Sequence, residues 1–187
     1  MSQAAGSRSL FDGKTLRGWK HSGYGLWTVE DGTITGRFDH ANPGPGYLFT
    51  TEEFLDFTLE LEFWISKGGN SGVYVRQRLR EFGARGDARP AHGADDGVEV
   101  QIDYNDPKNY TGALYDVQKP SIVAGSEERW NKYRIEGKGP RLRVWIGDQM
   151  VNDFGSMTSL KGAVGLQVHG GMPHDHVVRF RDLRILA

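Results

Sequence analysis

The most regular stretch of the chain covers residues 57–65. Phe57, Leu59, Leu61, Phe63 and Ile65 alternate there with Thr58, Glu60, Glu62 and Trp64. Successive side chains on a strand point to opposite faces, so five apolar positions at period two predict a strand with one buried face. Shorter segments of the same kind cover 47–50, 73–76, 98–104, 111–115, 130–136, 142–146, 149–153, 164–169 and 178–185. Asp31-Gly32, inside the stretch 27–36, suits the positive φ of a tight hairpin turn, and Gly147-Asp148 marks a second one. In 178–185, Val178 and Phe180 share one parity while Leu183 and Ile185 share the other. A one-residue slip reverses the faces, so a bulge is expected near Arg181-Asp182. No long segment repeats apolar residues every 3.6 positions. Ten or more short strands separated by turn signals predict an all-β chain, a sandwich or jelly roll of two antiparallel sheets.

Composition adds detail to this picture. At 187 residues the chain can bury a sizeable core; residues 1–8 read as a disordered leader and 9–187 as a single domain. Its 26 glycines are about twice the usual share and are scattered without a collagen-like period, which points to many turns between strands. Residues 82–97 are the one long stretch without periodicity, a kind of loop that is usually functional or disordered. The net charge of −1 offers no basic field for nucleic acid. The absence of cysteine excludes disulfides, thiolate catalysis and zinc–thiolate sites. Residues 1–9 contain no apolar core of a signal peptide, and no window approaches the ~18 apolar residues of a membrane span.

The strand at 98–103 carries the candidate chemistry. Val98, Val100 and Ile102 point one way, and Glu99, Gln101 and Asp103 point the other. Two carboxyls flanking an amide, with no base among them, form either a solvated edge face or one wall of a polar cleft. Other strands offer partners opposite their apolar residues: Tyr74 and Arg76, Arg143 and Trp145, Gln167 and His169. On one sheet, these groups make a polyol site, because rings stack on sugars and planar amides, carboxylates and guanidinium groups pair with vicinal hydroxyls. The motif Glu99-x-Gln101-x-Asp103 resembles the Glu-x-Asp-x-Glu strand of laminarinase-type glucanases. It replaces the central acid by an amide and shortens the last one. Positions four apart on a strand have Cα atoms ~13 Å apart, wide of the ~5–9.5 Å between the carboxyls of glycosidases. Among the histidines, His169 at a strand end is either catalytic or merely hydrogen-bonded. His174 and His176 around Asp175, and His92 with Asp95 and Asp96, read as polar loops, since no spacing matches a strong metal signature. Gly69-Asn70-Ser71-Gly72 reads as a hairpin turn with no helix behind it, so it is no acyl-transfer elbow.

Several segments taken in order resemble one family. They are Ser9-Leu10-Phe11-Asp12-Gly13-Lys14-Thr15-Leu16-Arg17-Gly18-Trp19, then Gly68-Gly69-Asn70-Ser71-Gly72-Val73 with Arg76, then Gly97-Val98-Glu99-Val100-Gln101-Ile102-Asp103. Thr111-Gly112-Ala113-Leu114-Tyr115, Gly165-Leu166-Gln167-Val168-His169-Gly170 and Val178-Arg179-Phe180-Arg181-Asp182-Leu183-Arg184-Ile185 complete the set. Over residues 9–186 the chain resembles the 3-keto-disaccharide hydrolases. The resemblance implies a concanavalin A-like jelly-roll sandwich, an exported bacterial protein, and cleavage of 3-keto-glycosides by a 1,2-lyase and hydratase route or by net hydrolysis. It casts Glu99 and His169 as acid and base in either order, with Arg76 against the enolate or ketone oxygen. Gln101, Asp103, Tyr115 and Gln167, with Asn70 and Trp145, would hold the sugar. A divalent metal is an alternative electrophile, with no ligands to name. A small sugar or glycoside is the implied partner. A noncatalytic carbohydrate-binding module and an ordinary glycoside hydrolase remain alternatives. The chain departs from the family at Trp64, where arginine is common, in the loop at 82–97, and in the stretch after His169. All three departures are expected near the mouth of the site.

Overall fold

The computed structural model describes residues 6–78, 93–172 and 174–187. Among these residues there are thirteen strands and no helix. In chain order the strands are β1 (Arg8–Ser9), β2 (Trp19–Gly23), β3 (Leu26–Glu30), β4 (Thr33–Arg37), β5 (Gly46–Phe54), β6 (Phe57–Ile65) and β7 (Asn70–Gln77). Then follow β8 (Val98–Asp103), β9 (Asn131–Lys138), β10 (Arg141–Ile146), β11 (Gln149–Phe154), β12 (Gly162–Val168) and β13 (Val177–Leu186). They build the expected all-β sandwich. One sheet runs β11-β10-β9-β6-β13-β4-β3, with β1 also paired to β13; the other runs β2-β5-β12-β7-β8. All strand pairs are antiparallel.

The core lies between the sheets and follows the period-two pattern. The five apolar residues of β6 are buried, as are Val98, Val100 and Ile102 of β8 and Val164, Leu166 and Val168 of β12. The hairpin between β3 and β4 turns on Asp31 and Gly32, both at positive φ (47° and 73°), as a two-residue primed turn requires. In β13 the register with β6 shifts between Arg181 and Arg184, and Asp182 has φ 53°. This bulge lets Val178 and Phe180 share the core with Leu183 and Ile185.

Three elements differ from the sequence reading. Strand β2 pairs with β5 at a sheet edge, where Trp-Lys-His-Ser-Gly needs only one apolar contact and shows no alternation. Arg8, the last residue of the expected leader, pairs with Ile185, next to the Ser9–Arg184 pair. Residues 111–115 are not a regular strand. They lie along the open edge of β8, where the N–H groups of Thr111, Gly112 and Tyr115 donate to the carbonyls of Asp103, Gln101 and Glu99 (2.7–2.9 Å). That cover satisfies an edge that would otherwise be open to pairing.

A second bulge decides what β7 presents. Gln77 pairs with Ala163 and Tyr74 with Gly165, so Val75 and Arg76 together face a single residue of β12. Arg76 takes φ 57° to accommodate the extra residue. A bulge re-aims its side chain, and the alternation that places Tyr74 and Arg76 on one face ends there.

Candidate functional site

The outer face of the five-stranded sheet carries three rows of side chains set by register. In the first row Glu99 faces Tyr74, which neighbours Gly165 and then Phe49. In the second, Gln101 faces Gly72, followed by Gln167 and Tyr47. In the third, Asp103 faces Asn70, whose carbonyl accepts the N–H of His169 (3.2 Å). Adjacent rows are two residues apart, about 6.6 Å along the strands. Between the rows and a rim of Pro43, Gly44, Pro45, Gly170 and Gly171 lies a cavity of about 380 Å³, within the usual size of a small-ligand site.

Seven sequence-selected residues line this cavity: Asn70, Glu99, Gln101, Asp103, Tyr115, Gln167 and His169. Glu99, Gln101 and Asp103 are 3%, 2% and 6% exposed, so the solvated-edge reading of β8 does not hold. Tyr47 and Asp106 also line the cavity. Asp106 closes the turn after β8, and nothing in its local pattern singles it out from an ordinary turn aspartate.

Arg76 and Trp145 do not join the site. Arg76 is fully buried at the far end of β7, where its guanidinium donates to the carbonyls of Gly139 (2.7 Å), Leu55 (3.3 Å) and Ser159 (3.5 Å). It lies over Phe57 and 3.9 Å from Asp56, and the bulge of β7 turned it there. Trp145 belongs to β10 in the other sheet, flanked by Arg134 and Arg143 at 4.7 and 5.6 Å from its ring centroid. Arg143 also belongs to that sheet, paired with Glu136. Strand β10 reads like a cleft strand, and only sheet membership separates the two.

Glu99 sits at the centre of the site's electrostatics. Its carboxyl accepts a hydrogen bond from the Tyr74 hydroxyl (2.7 Å), which in turn accepts one from Gln167 Nε2 (3.1 Å). Burial pushes the Glu99 pKa up to about 8, against the opposing effect of the Tyr74 and Gln167 contacts. Gly72 makes room for the group: a Cβ there would collide with the Glu99 carboxyl. The sequence marks this glycine only as part of a turn, whereas its role is steric. Asp103 is also pushed up by burial, opposed by backbone N–H groups including that of Asn105 (2.6 Å). Its other oxygen accepts from Asn70 Nδ2 (2.9 Å). Burial likewise raises the Tyr115 phenol, with Asp116 and Glu99 adding to it.

After His169, Gly170 and Gly171 border the cavity, and residues 174–176 contact neighbouring segments. Gly170 packs so tightly on residues 43–45 that a side chain at 170 would meet their backbone. His174 contacts the Gly68 carbonyl (3.2 Å), Asp175 pairs with His40, and His176 stacks on Phe38 with ring centroids 6.1 Å apart. Burial, with His169 and His174 nearby, lowers the His176 pKa to about 4. Trp64, the departure expected near the mouth, instead lies on the outer face of the other sheet under Arg179. Most of the loop at 82–97, with His92, falls outside the described residues. Among the described residues no three His, Asp or Glu side chains are placed to hold a metal ion.

Comparisons with known proteins agree with this architecture. The 3-keto-alpha-glucoside-1,2-lyase-like domain matches residues 6–186. A 3-keto-disaccharide hydrolase of Bacteroides thetaiotaomicron is 41% identical over 157 residues, which cover 71% of this chain and 52% of that protein. The chain thus spans about half the length of that relative. Among solved structures, a protein described as a candidate glycosyl hydrolase from Parabacteroides distasonis superposes with a TM-score of 0.75 at 21% identity, covering 98% of this chain and 94% of its own. The carbohydrate-binding module CBM66 of Bacillus subtilis follows with a TM-score of 0.64 at 18% identity, covering 91% and 96%. Both structural likenesses concern the fold.

Proposed function

This chain belongs to the 3-keto-alpha-glucoside-1,2-lyase-like family, and on that premise we propose that it cleaves 3-keto-glycosides by elimination followed by hydration. A ketone at C3 acidifies the proton on C2. A base removes that proton, the C1–O bond breaks as the enolate collapses, and the departing oxygen takes a proton from an acid. Water then adds across the unsaturated sugar, its oxygen to C1 and a proton to C2, so the net change is hydrolysis. The route needs one base, one acid and a donor for the enolate oxygen. It does not need two carboxylates at glycosidase spacing.

The observation that carries this reading is Glu99, a buried carboxyl in a polar cavity whose pKa of about 8 leaves it protonated at neutral pH. In the proposed mechanism it is the acid that protonates the leaving oxygen. His169, on the same cavity at the end of β12, takes the C2 proton. Tyr115 supplies a phenolic donor to the enolate oxygen, the task that sequence reasoning gave to Arg76. Asp103, Gln101, Asn70 and Gln167 hold the ring.

The test uses a 3-keto-glucoside and its unoxidised parent in deuterium oxide. Turnover of the keto compound alone, with deuterium appearing at C2, is the expected result. Cleavage of the parent without exchange at C2 would overturn the mechanism. Binding of both sugars with turnover of neither would assign the domain a binding role.

A further inference from the structure

Two buried side chains that line the cavity carry an unused acceptor. Gln101 and Gln167 are 2% and 4% exposed, and both Oε1 atoms are without a hydrogen-bond partner. Such orphaned acceptors are costly in a folded protein unless something fills them. Each amide nitrogen already donates one of its two protons. Gln167 Nε2 donates to Tyr74, which donates to Glu99. Gln101 Nε2 makes a long 3.5 Å bond to Asn70 Oδ1, and Asn70 Nδ2 donates to Asp103. Each relay therefore begins at a carboxyl oxygen that accepts, and direction passes along it one donor at a time. A tyrosine hydroxyl has a single proton, and an amide has one accepting and one donating end. Once Glu99 takes the proton of Tyr74, Gln167 can only offer its nitrogen to Tyr74, which turns its oxygen away from that hydroxyl. Asp103 and Asn70 impose the same sense on Gln101. Protonated Glu99 still offers Tyr74 a carbonyl oxygen, so the direction is kept in both charge states.

We infer that Gln101 and Gln167 are specificity residues that accept hydrogen bonds from two hydroxyl groups of a neutral sugar ring, and that Tyr74 and Asn70 set this polarity. This deepens the glycoside reading and rests on it for the choice of a sugar. A ketone has no proton to give, so neither glutamine oxygen reads the C3 carbonyl. The two glutamines stand in one row on either side of Gly72, and the Glu99 carboxyl reaches over that glycine. The hydroxyls they read therefore flank the position of the proton-transfer group. Tyr74 and Asn70 act here as positioning residues.

The experiment measures binding by calorimetry, so it does not depend on turnover. The probes are methyl α-glucoside, which lacks the ketone, and its 2-, 4- and 6-deoxyfluoro derivatives. Fluorine keeps the size and accepts weakly but cannot donate. Two of the three derivatives are expected to bind roughly 10-fold or more weakly than the parent, because each leaves a buried acceptor unmet. Gln101→Met should erase one of these penalties and Gln167→Met the other. Tyr74→Phe frees the Gln167 amide to turn, so it should relieve the fluorine penalty assigned to Gln167 and leave the other unchanged. A purely structural tyrosine would weaken all ligands alike. Absence of parent binding at millimolar concentration, equal affinity for all four ligands, or penalties that survive both glutamine substitutions would each overturn the inference. If the selectivity appears but 3-keto-glucosides are not turned over, only the catalytic reading fails.

Discussion

Two polar sheet faces are drawn from the same alphabet and behave differently. On the outer face of the eight-stranded sheet, Arg181 pairs with Glu62, and Arg143 and Arg134 with Glu136. Trp64, Trp130 and Trp145 lie under arginines there. Each of these charges has an opposite charge or a ring beside it and keeps part of its surface in water. On the outer face of the five-stranded sheet, Glu99 and Asp103 are buried among amides and hydroxyls. Glu99 is met by Tyr74 and Gln167, and its carboxyl is pushed up to about 8. The first arrangement seals a surface. The second leaves the Oε1 atoms of Gln101 and Gln167 buried without a hydrogen-bond partner. Period-two alternation is common to both, so the difference lies in who faces whom across the strands.

That contrast can be broken by substitution. Glu99→Gln should lower kcat/KM for a 3-keto-glucoside by roughly 10²–10⁴-fold, the usual worth of a proton-transfer group, while the chain still folds. Glu62→Gln on the other face should leave kcat/KM unchanged. Comparable losses in both would erase the distinction. The next effect is on stability and pH. Glu99 binds its proton more tightly folded than unfolded, so the native state holds more protons between about pH 4.5 and 8. Its stabilising contribution is complete below pH 4.5 and is lost as pH rises through about 8. Urea titrations should show Glu99→Gln losing less stability than the parent chain between pH 5 and pH 8.5, by a difference on the order of a few kcal/mol.

Arg76 tests the boundary of the site. Arg76→Met removes a guanidinium that serves three carbonyls, and should cost about 2–4 kcal/mol in urea while kcat/KM per folded molecule stays within about twofold. A large fall in kcat/KM at unchanged stability would return Arg76 to the chemistry. The smallest effect is expected at Arg181→Gln, where a half-exposed pair with Glu62 should be worth about 0–1 kcal/mol, less in high salt.

Much of the fold was legible because buried strands must alternate. The bulge in β13 showed as a parity switch, and the Asp31-Gly32 turn as a residue pair tolerant of positive φ. Strand β2 was hidden because an edge strand with one buried tryptophan has no pattern to show. The wall of the cleft was legible in β8, since a run of two acids and an amide without a base is unusual for a solvated face. Arg76 was not, because a bulge depends on pairing with β12 rather than on the residues of β7. Trp145 misled for a related reason: alternation assigns a face within a sheet, and says nothing of which sheet. Tyr74 looked like one more polar side chain, and only its hydrogen bonds show it joining two wall residues without lining the cavity itself.

The pairing of Arg8 with Ile185 has a consequence for topology as an engineering variable. The first and last strands of the described chain lie side by side, so a short bridge between residues 187 and 8 would close the backbone into a ring without moving a strand. New ends could then be cut at Asp31-Gly32 or Gly147-Asp148, tight turns on the other sheet from the cavity. Such circular permutants should keep the cleft and its selectivity. They would also carry fusion partners on a different side of the sandwich while the cavity wall stays as it is.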